Sequence, residues 1–400
     1  MKRRTSGLIA MSVLGISHSA AAQDEGKIEA GAFDIIPSVT SEAKFIDNVT
    51  YASNDEETIE SWVGVISPRV RALTRFGNST IEASYRLERG EYFSSDADNY
   101  TDHFANLTGR FDISSRHRFT ARARYEDGHD ERGRRFSNGF GNQLANVDTY
   151  KNSGLDAIYS FGALSSDGRI DVSVGVTDLD YDWDQGSYLF RDRQTKKVGG
   201  QFYYRLAGST HLVFDATHRQ IDYDVARDPA NPLDSDENRL LAGVTWESTA
   251  STTSFAKVGY QQKKFDAGNR EDFSGVDWEV GMTWQPLSYT EFGLSTSADT
   301  RETNGEGDFI RSRDYAVSWK HAWLQRFSTK ASLIYEEDDY EAAIVNPRED
   351  DTTRLLLSAD YDFRRWLTLG LYYQLSERDS NRPTIEYDRD VVGLTARVTL

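Results

Sequence analysis
Apolar and polar residues alternate one by one through block after block of this chain. Between Val276 and Trp284, the apolar set Val276, Trp278, Val280, Met282 and Trp284 is interleaved with Asp277, Glu279, Gly281 and Thr283. A period of two sends successive side chains to opposite faces of a strand, so each block has one greasy and one polar or small face. The pattern recurs in Leu355, Leu357, Ala359, Tyr361 and Phe363, and again in Leu367, Leu369, Leu371, Tyr373 and Leu375. Earlier sets are Phe119, Ala121, Ala123 and Tyr125, then Val198, Gly200, Phe202, Tyr204 and Leu206, then Leu240, Ala242, Val244 and Trp246. Aromatics tend to close these sets, where interfacial girdles would need them.

The breaks between blocks alternate in length. Tight turns are predicted near Gly77, Ser114, Ser165, Gly208, Thr249, Leu287, Arg326 and Arg364. Longer polar stretches fall near 49–57, 93–99, 131–146, 184–188, 224–235, 265–271, 303–308, 342–351 and 379–386. Strict long–short alternation with an apolar face on nearly every strand predicts a closed antiparallel transmembrane β-barrel, with short turns periplasmic and long loops outside. The segments number about 18, within a range of 16–18, and an even number returns both termini to the periplasmic side. The chain also ends on such a strand. Val392, Leu394, Ala396, Val398 and Leu400 alternate with Val391, Gly393, Thr395, Arg397 and Thr399, although outer-membrane barrels usually close on an aromatic.

Composition agrees with an all-β membrane wall. Tyr (21), Phe (20) and Trp (8) are plentiful and Pro is scarce (7), so no Pro-rich linker divides the 400 residues into domains. Mean hydropathy is negative, which a helical membrane protein could not show but a barrel with a polar lumen can. The start reads as an export signal over residues 1–22. Lys2, Arg3 and Arg4 form a basic n-region, Leu8 to Ile16 an apolar h-region, and Ala20 to Ala22 a small-residue cleavage site. That apolar run is too short to span a bilayer, which needs roughly 20 residues. Sec export followed by barrel-assembly machinery is the expected route, with residues 23–400 forming one outer-membrane barrel in lipid and lipopolysaccharide. The chain has no Cys, which excludes a lipoprotein anchor and a disulfide framework.

Charge then separates the two faces. An Arg or Lys facing lipid at mid-membrane costs about 2–4 kcal/mol, so basic residues alternating with the apolar sets must face the lumen. On the early strands these are Arg69, Arg71, Arg75, Arg86, Arg110, Arg118, Arg122 and Arg124; Lys197, Arg205, Lys257, Lys320, Lys330 and Arg397 follow later. Pro68 is expected at a bulge or an edge-like position. Glu82, Glu88, Asp112, Asp277 and Glu279 share the interior. A protein of net charge −18 thus carries a basic track on its early wall. It either pairs with lumen acids as filling or guides an anionic solute, because the guanidinium fork donates two bonds at once to a carboxylate or phosphate. The acid-rich runs Asn54 to Glu57, Asp178 to Asp184 and Glu336 to Asp339 read as solvated loops and strand tips, with cation bridges to lipopolysaccharide as the sharper alternative.

No enzymatic signature is present. The seven His are dispersed, no His-Glu-x-x-His, Gly-x-Ser-x-Gly or phosphate-loop pattern occurs, and no metal or cofactor is expected. His117, His129 and His218 read as turn, loop or surface residues. The acidic balance argues against nucleic acid as a partner.

The segments Phe33 to Thr40 and Phe45 to Asn48, then Trp62 to Val70, Tyr125 to Gly133 and Tyr361 to Tyr373, together resemble the outer-membrane β-barrel porins encoded with exopolysaccharide biosynthesis genes. The resemblance covers nearly all of the mature chain and supplies no catalytic residues. It implies a channel for export of an exopolysaccharide, fed by periplasmic export proteins. A general diffusion porin for small solutes and a structural or adhesive barrel are the other classes, and a barrel of about 16–18 strands favours transport because it leaves an aqueous channel.

Overall fold
The computed structural model describes residues 26–182, 190–249, 251–341 and 346–399. The expected signal peptide, the loop at 184–188 and Leu400 lie outside these residues.

A three-residue strand, β1 (Ile28–Ala30), precedes eighteen long ones. These are β2 (Phe33–Ile46), β3 (Ser61–Phe76), β4 (Ser79–Tyr92), β5 (Tyr100–Asp112), β6 (His117–Asp130), β7 (Asp148–Phe161), β8 (Gly168–Tyr181), β9 (Arg193–Ala207) and β10 (Thr210–Tyr223). The second half comprises β11 (Ser235–Thr249), β12 (Thr252–Phe265), β13 (Phe273–Leu287), β14 (Thr290–Glu302), β15 (Phe309–Leu324), β16 (Phe327–Glu341), β17 (Glu349–Arg364), β18 (Leu367–Ser380) and β19 (Tyr387–Thr399). Each long strand pairs antiparallel with its neighbours in sequence, and β19 closes the sheet on β2 from Val391↔Ile46 to Thr399↔Ser38. The result is a closed barrel of eighteen strands, as the alternation predicted. Closure removes every sheet edge, which lipid would otherwise leave without hydrogen-bond partners. β1 folds back on Phe33 to Ile35, beyond the reach of β19.

The turns follow from local chemistry. Phe76 pairs with Ser79 around Gly77, whose φ of 59° is the left-handed value that opens a two-residue hairpin, and Gly208 repeats this at φ 56° between Ala207 and Thr210. The apolar sets face outward as predicted: Val198, Leu240, Val276, Leu371 and Leu394 are all exposed on the outer wall. Among the described residues no helix is long and apolar enough to cross a membrane, and the strands do the crossing.

Pro68 takes the edge-like position of the two expected, not the bulge. Ile66 pairs with Arg89 and Arg69 with Arg86, so no residue is inserted and there is no bulge. The β3–β4 ladder simply lapses at Ser67 and Pro68 and resumes in register, since Pro offers no N–H to it. The run Glu336 to Asp339 is not a solvated tip. It lies within β16, where Glu336 bonds inward to Arg301 and Arg354 while Glu337 and Asp339 pair with Arg313.

Candidate functional site
The inner face of β3–β6 holds the eight predicted arginines, and strand register places them. Arg69 stands opposite Arg86, and Arg86 opposite Phe104. One step below, Arg71 lies in line with Ser84, Asn106 and Arg124. Arg122 follows beside Thr108, then Arg75 and Arg110 on either side of Thr80, then Arg118 beside Asp112. Inward positions repeat every two residues, about 7 Å along a strand. The arginines therefore form a ladder roughly 20 Å deep once strand tilt is allowed for, most of the thickness of the hydrocarbon core.

These cations are unevenly paired. Arg86 bonds to Glu88 and lies 3.8 Å over the Phe104 ring. Arg124 reaches Asp156 at 3.0 Å, and Arg118 donates to the Gly162 carbonyl at 3.1 Å. Arg75, largely exposed to the lumen, has only a 3.5 Å contact with Asp34. Among the described residues the side chains of Arg69, Arg110 and Arg122 show no hydrogen bond or ion pair.

The opposite wall is built differently. Lys263, fully buried, is clamped between Glu237 at 3.0 Å and Glu302 at 2.6 Å. Lys257 bridges Asp215 and Glu279, Arg239 bridges Asp277 and Glu279, and Arg219 bridges Glu237 and Asp299. This network draws the upper part of β14 into the lumen: Thr300 donates to Glu237 on β11, and Tyr223 on β10 donates to Glu302. The β13–β14 ladder accordingly stops at Glu279↔Ser297 although both strands continue. A buried charge needs this degree of compensation.

Two loops cross the outer mouth. The loop 131–147 leaves β6, and its Asn138 accepts a bond from Arg378 on β18, with Gly139 against Ile385. Its Arg132 forks onto Asp98, and its Phe136 lies under Arg191. The loop 47–60 meets it: Thr50 donates to Asn142 at 2.5 Å, and Asn142 donates to the Glu57 carbonyl. Glycine is required at the meeting point, because a Cβ on Gly133, whose φ is 87°, would overlap the Thr50 carbonyl oxygen.

At the centre of this contact sits Glu131. Its carboxylate accepts from the Tyr51 hydroxyl at 2.6 Å, from Arg134 at 3.3 Å and from Arg389 of β19 at 3.4 Å. Burial alone would raise this carboxyl, but Arg389, Arg134 and the Tyr51 bond outweigh it and hold it at about 2, against an ordinary 4.5. Burial pushes the Tyr51 hydroxyl well up, so it stays a donor. Tyr51 at φ 51° and Arg135 at φ 48° are both in the left-handed region, a strain of order 1–3 kcal/mol each that only firm surroundings maintain.

Sequence reading placed the arginine ladder but missed this mouth. Glu131 and Gly133 fall inside the Tyr125 to Gly133 segment noted for its resemblance, without a role assigned there. Tyr51 and Arg389 carried no distinguishing signal. A further feature missed is a set of inward aromatics at the outer strand ends, Tyr92, Tyr100, Tyr150, Tyr181, Tyr340 and Tyr387, all buried. His129, expected on a turn, loop or surface, instead lies in β6 with Nδ1 2.9 Å from Asp102 and its ring stacked on Tyr100.

A closed barrel with an apolar outer wall, a charged lumen and long loops on one side is an outer-membrane channel of the porin type. The chain belongs to the family described as Putative beta-barrel porin 2, whose model matches residues 24–400. No curated protein matches it in sequence. Similar solved structures include OccAB3 of Acinetobacter baumannii, at 10% identity and TM-score 0.48, covering 92% of this chain and 99% of that one. OpdK of Pseudomonas aeruginosa has 10% identity and TM-score 0.49, covering 92% and 98%. The FrpB iron transporter of Neisseria meningitidis, F3-3 variant, has 12% identity and TM-score 0.47; the match covers 86% of this chain and 62% of that longer one.

Proposed function
We propose that this barrel is a passive outer-membrane channel for small anionic solutes, which move along the β3–β6 wall. The observation that carries the reading is the trio Arg69, Arg110 and Arg122, three lumen cations without protein partners in a chain of net charge −18. Leaving them unpaired has no structural use, whereas a carboxylate or phosphate passing down the lumen would exchange one guanidinium fork for the next. Binding at each step must be weak enough to release, which water-exposed arginines provide. Conduction of an exopolysaccharide is a narrower reading supported by the family resemblance alone. The loops 47–60 and 131–147 across the mouth favour small solutes over a polymer.

Swelling of proteoliposomes tests this. Dicarboxylates and sugar phosphates should enter several-fold faster than neutral sugars of equal size. Equal rates for neutral and anionic solutes would overturn the anion reading. Entry of an acidic oligosaccharide at the rate of a small dicarboxylate would restore the polymer conduit.

A further inference from the structure
We infer that Tyr51, Arg134 and Arg389 form a carboxylate-binding site at the outer mouth, which the chain's own Glu131 occupies until a solute carboxylate displaces it. The inference rests on the anion-channel reading and adds a site and a gating step to it.

The geometry is that of a ligand pocket rather than an ordinary ion pair. One hydroxyl and two guanidinium groups from three separate segments converge on a single carboxylate: Tyr51 from the loop 47–60, Arg134 from the loop 131–147, and Arg389 from the wall. Two guanidiniums also flank the Tyr51 ring, Arg389 at 4.6 Å and Arg134 at 5.7 Å, contacts that hold the donor set together independently of Glu131's own bonds. Arg389 is buried and additionally tied to the Asn48 carbonyl, whereas Glu131 and Arg134 remain partly accessible. The occupant sits on the first residue after β6, at the root of the loop that crosses the lumen. An anion that takes its place removes one fastening of that root and leaves Arg132 on Asp98 as the other. The two bonds to arginine are long, 3.3 and 3.4 Å, so a free dicarboxylate has closer contacts to gain in the same cradle. Further down the wall lies the upper end of the arginine ladder, Arg69 and Arg86.

The experiment is single-channel recording of the purified full chain in planar bilayers, with citrate as the probe. Citrate should raise the open probability of the wild-type channel, and Glu131→Gln should raise it about tenfold without citrate, the scale of one lost charge-assisted hydrogen bond. The chain has no native Cys, so the pair Thr50→Cys and Asn142→Cys offers a second arm. Oxidation should hold the channel shut even with citrate, and reduction should restore it. An open probability unchanged by citrate, or conduction through the oxidised pair equal to that after reduction, would overturn the site. Reversal potentials recorded in the same traces read the anion channel separately. A Glu131→Gln channel that opens but selects cations would leave the latch standing and refute the anion reading.

Discussion
The two walls of this barrel solve the same problem in opposite ways. Both β3–β6 and β10–β17 place charged side chains on the lumen face, as alternation against a lipid-facing apolar set requires. On the late wall the deep cations are matched: Lys263 touches Glu237 and Glu302, Lys257 touches Asp215 and Glu279, and Arg301 touches Asp314 and Glu336. Lys263, Glu237 and Glu336 are buried, and β14 bends inward to complete the set. On the early wall the cations outnumber their partners and stay wet. Charge that is compensated and dry holds a wall together, while charge that is uncompensated and wet remains available to a solute.

The largest expected effect comes from the late wall. Lys263→Met leaves Glu237 and Glu302 buried without their cation and should cost about 3–5 kcal/mol. Urea unfolding of the barrel in vesicles measures this. A loss below about 1 kcal/mol would show that water already compensates these acids.

A smaller effect is expected at the mouth. Gly133→Val places a side chain against the Thr50 carbonyl at a φ of 87°, so the loop 131–147 should detach while the wall stays intact. Faster protease cleavage within the loop, with unchanged heat-modifiable migration of the barrel, is the predicted result. Loss of folded barrel would show that the loop is part of the wall's own stability.

Acid should act on the same contact. The Glu131 carboxyl is held at about 2, below its ordinary 4.5, so its contribution is complete above pH 4.5 and disappears as pH falls towards 2. The groups that bond to it, Arg389, Arg134 and Tyr51, stay protonated throughout that range. Loop protection from protease should thus persist at pH 5 and weaken only below about pH 4. Release between pH 7 and 5 would indicate that another group controls the contact.

The fold was readable from sequence because a transmembrane barrel is written in local pattern. Val276 to Trp284 declares its two faces without reference to any other segment, and Gly77 and Gly208 declare their turns. The ladder was readable for the same reason, since parity within a strand fixes whether Arg69 or Arg122 points inward. Pairing was not. Nothing near Arg69 says that it lacks a partner, and nothing near Lys263 says that Glu302, two strands away, will bend inward to meet it. The mouth was least legible, because Tyr51, Glu131 and Arg389 lie on three segments far apart in the chain and meet only when β19 closes on β2.

The central claim, that the unpaired early-wall arginines guide anions, is tested most directly by reversal potentials in a salt gradient. The wild-type channel is compared with the triple variant Arg69→Gln, Arg110→Gln and Arg122→Gln, normalised to folded protein. These residues have no partners to strand, so stability should change by less than about 1 kcal/mol while the reversal potential moves clearly towards cation selectivity. An unchanged reversal potential at full folding yield would contradict the account.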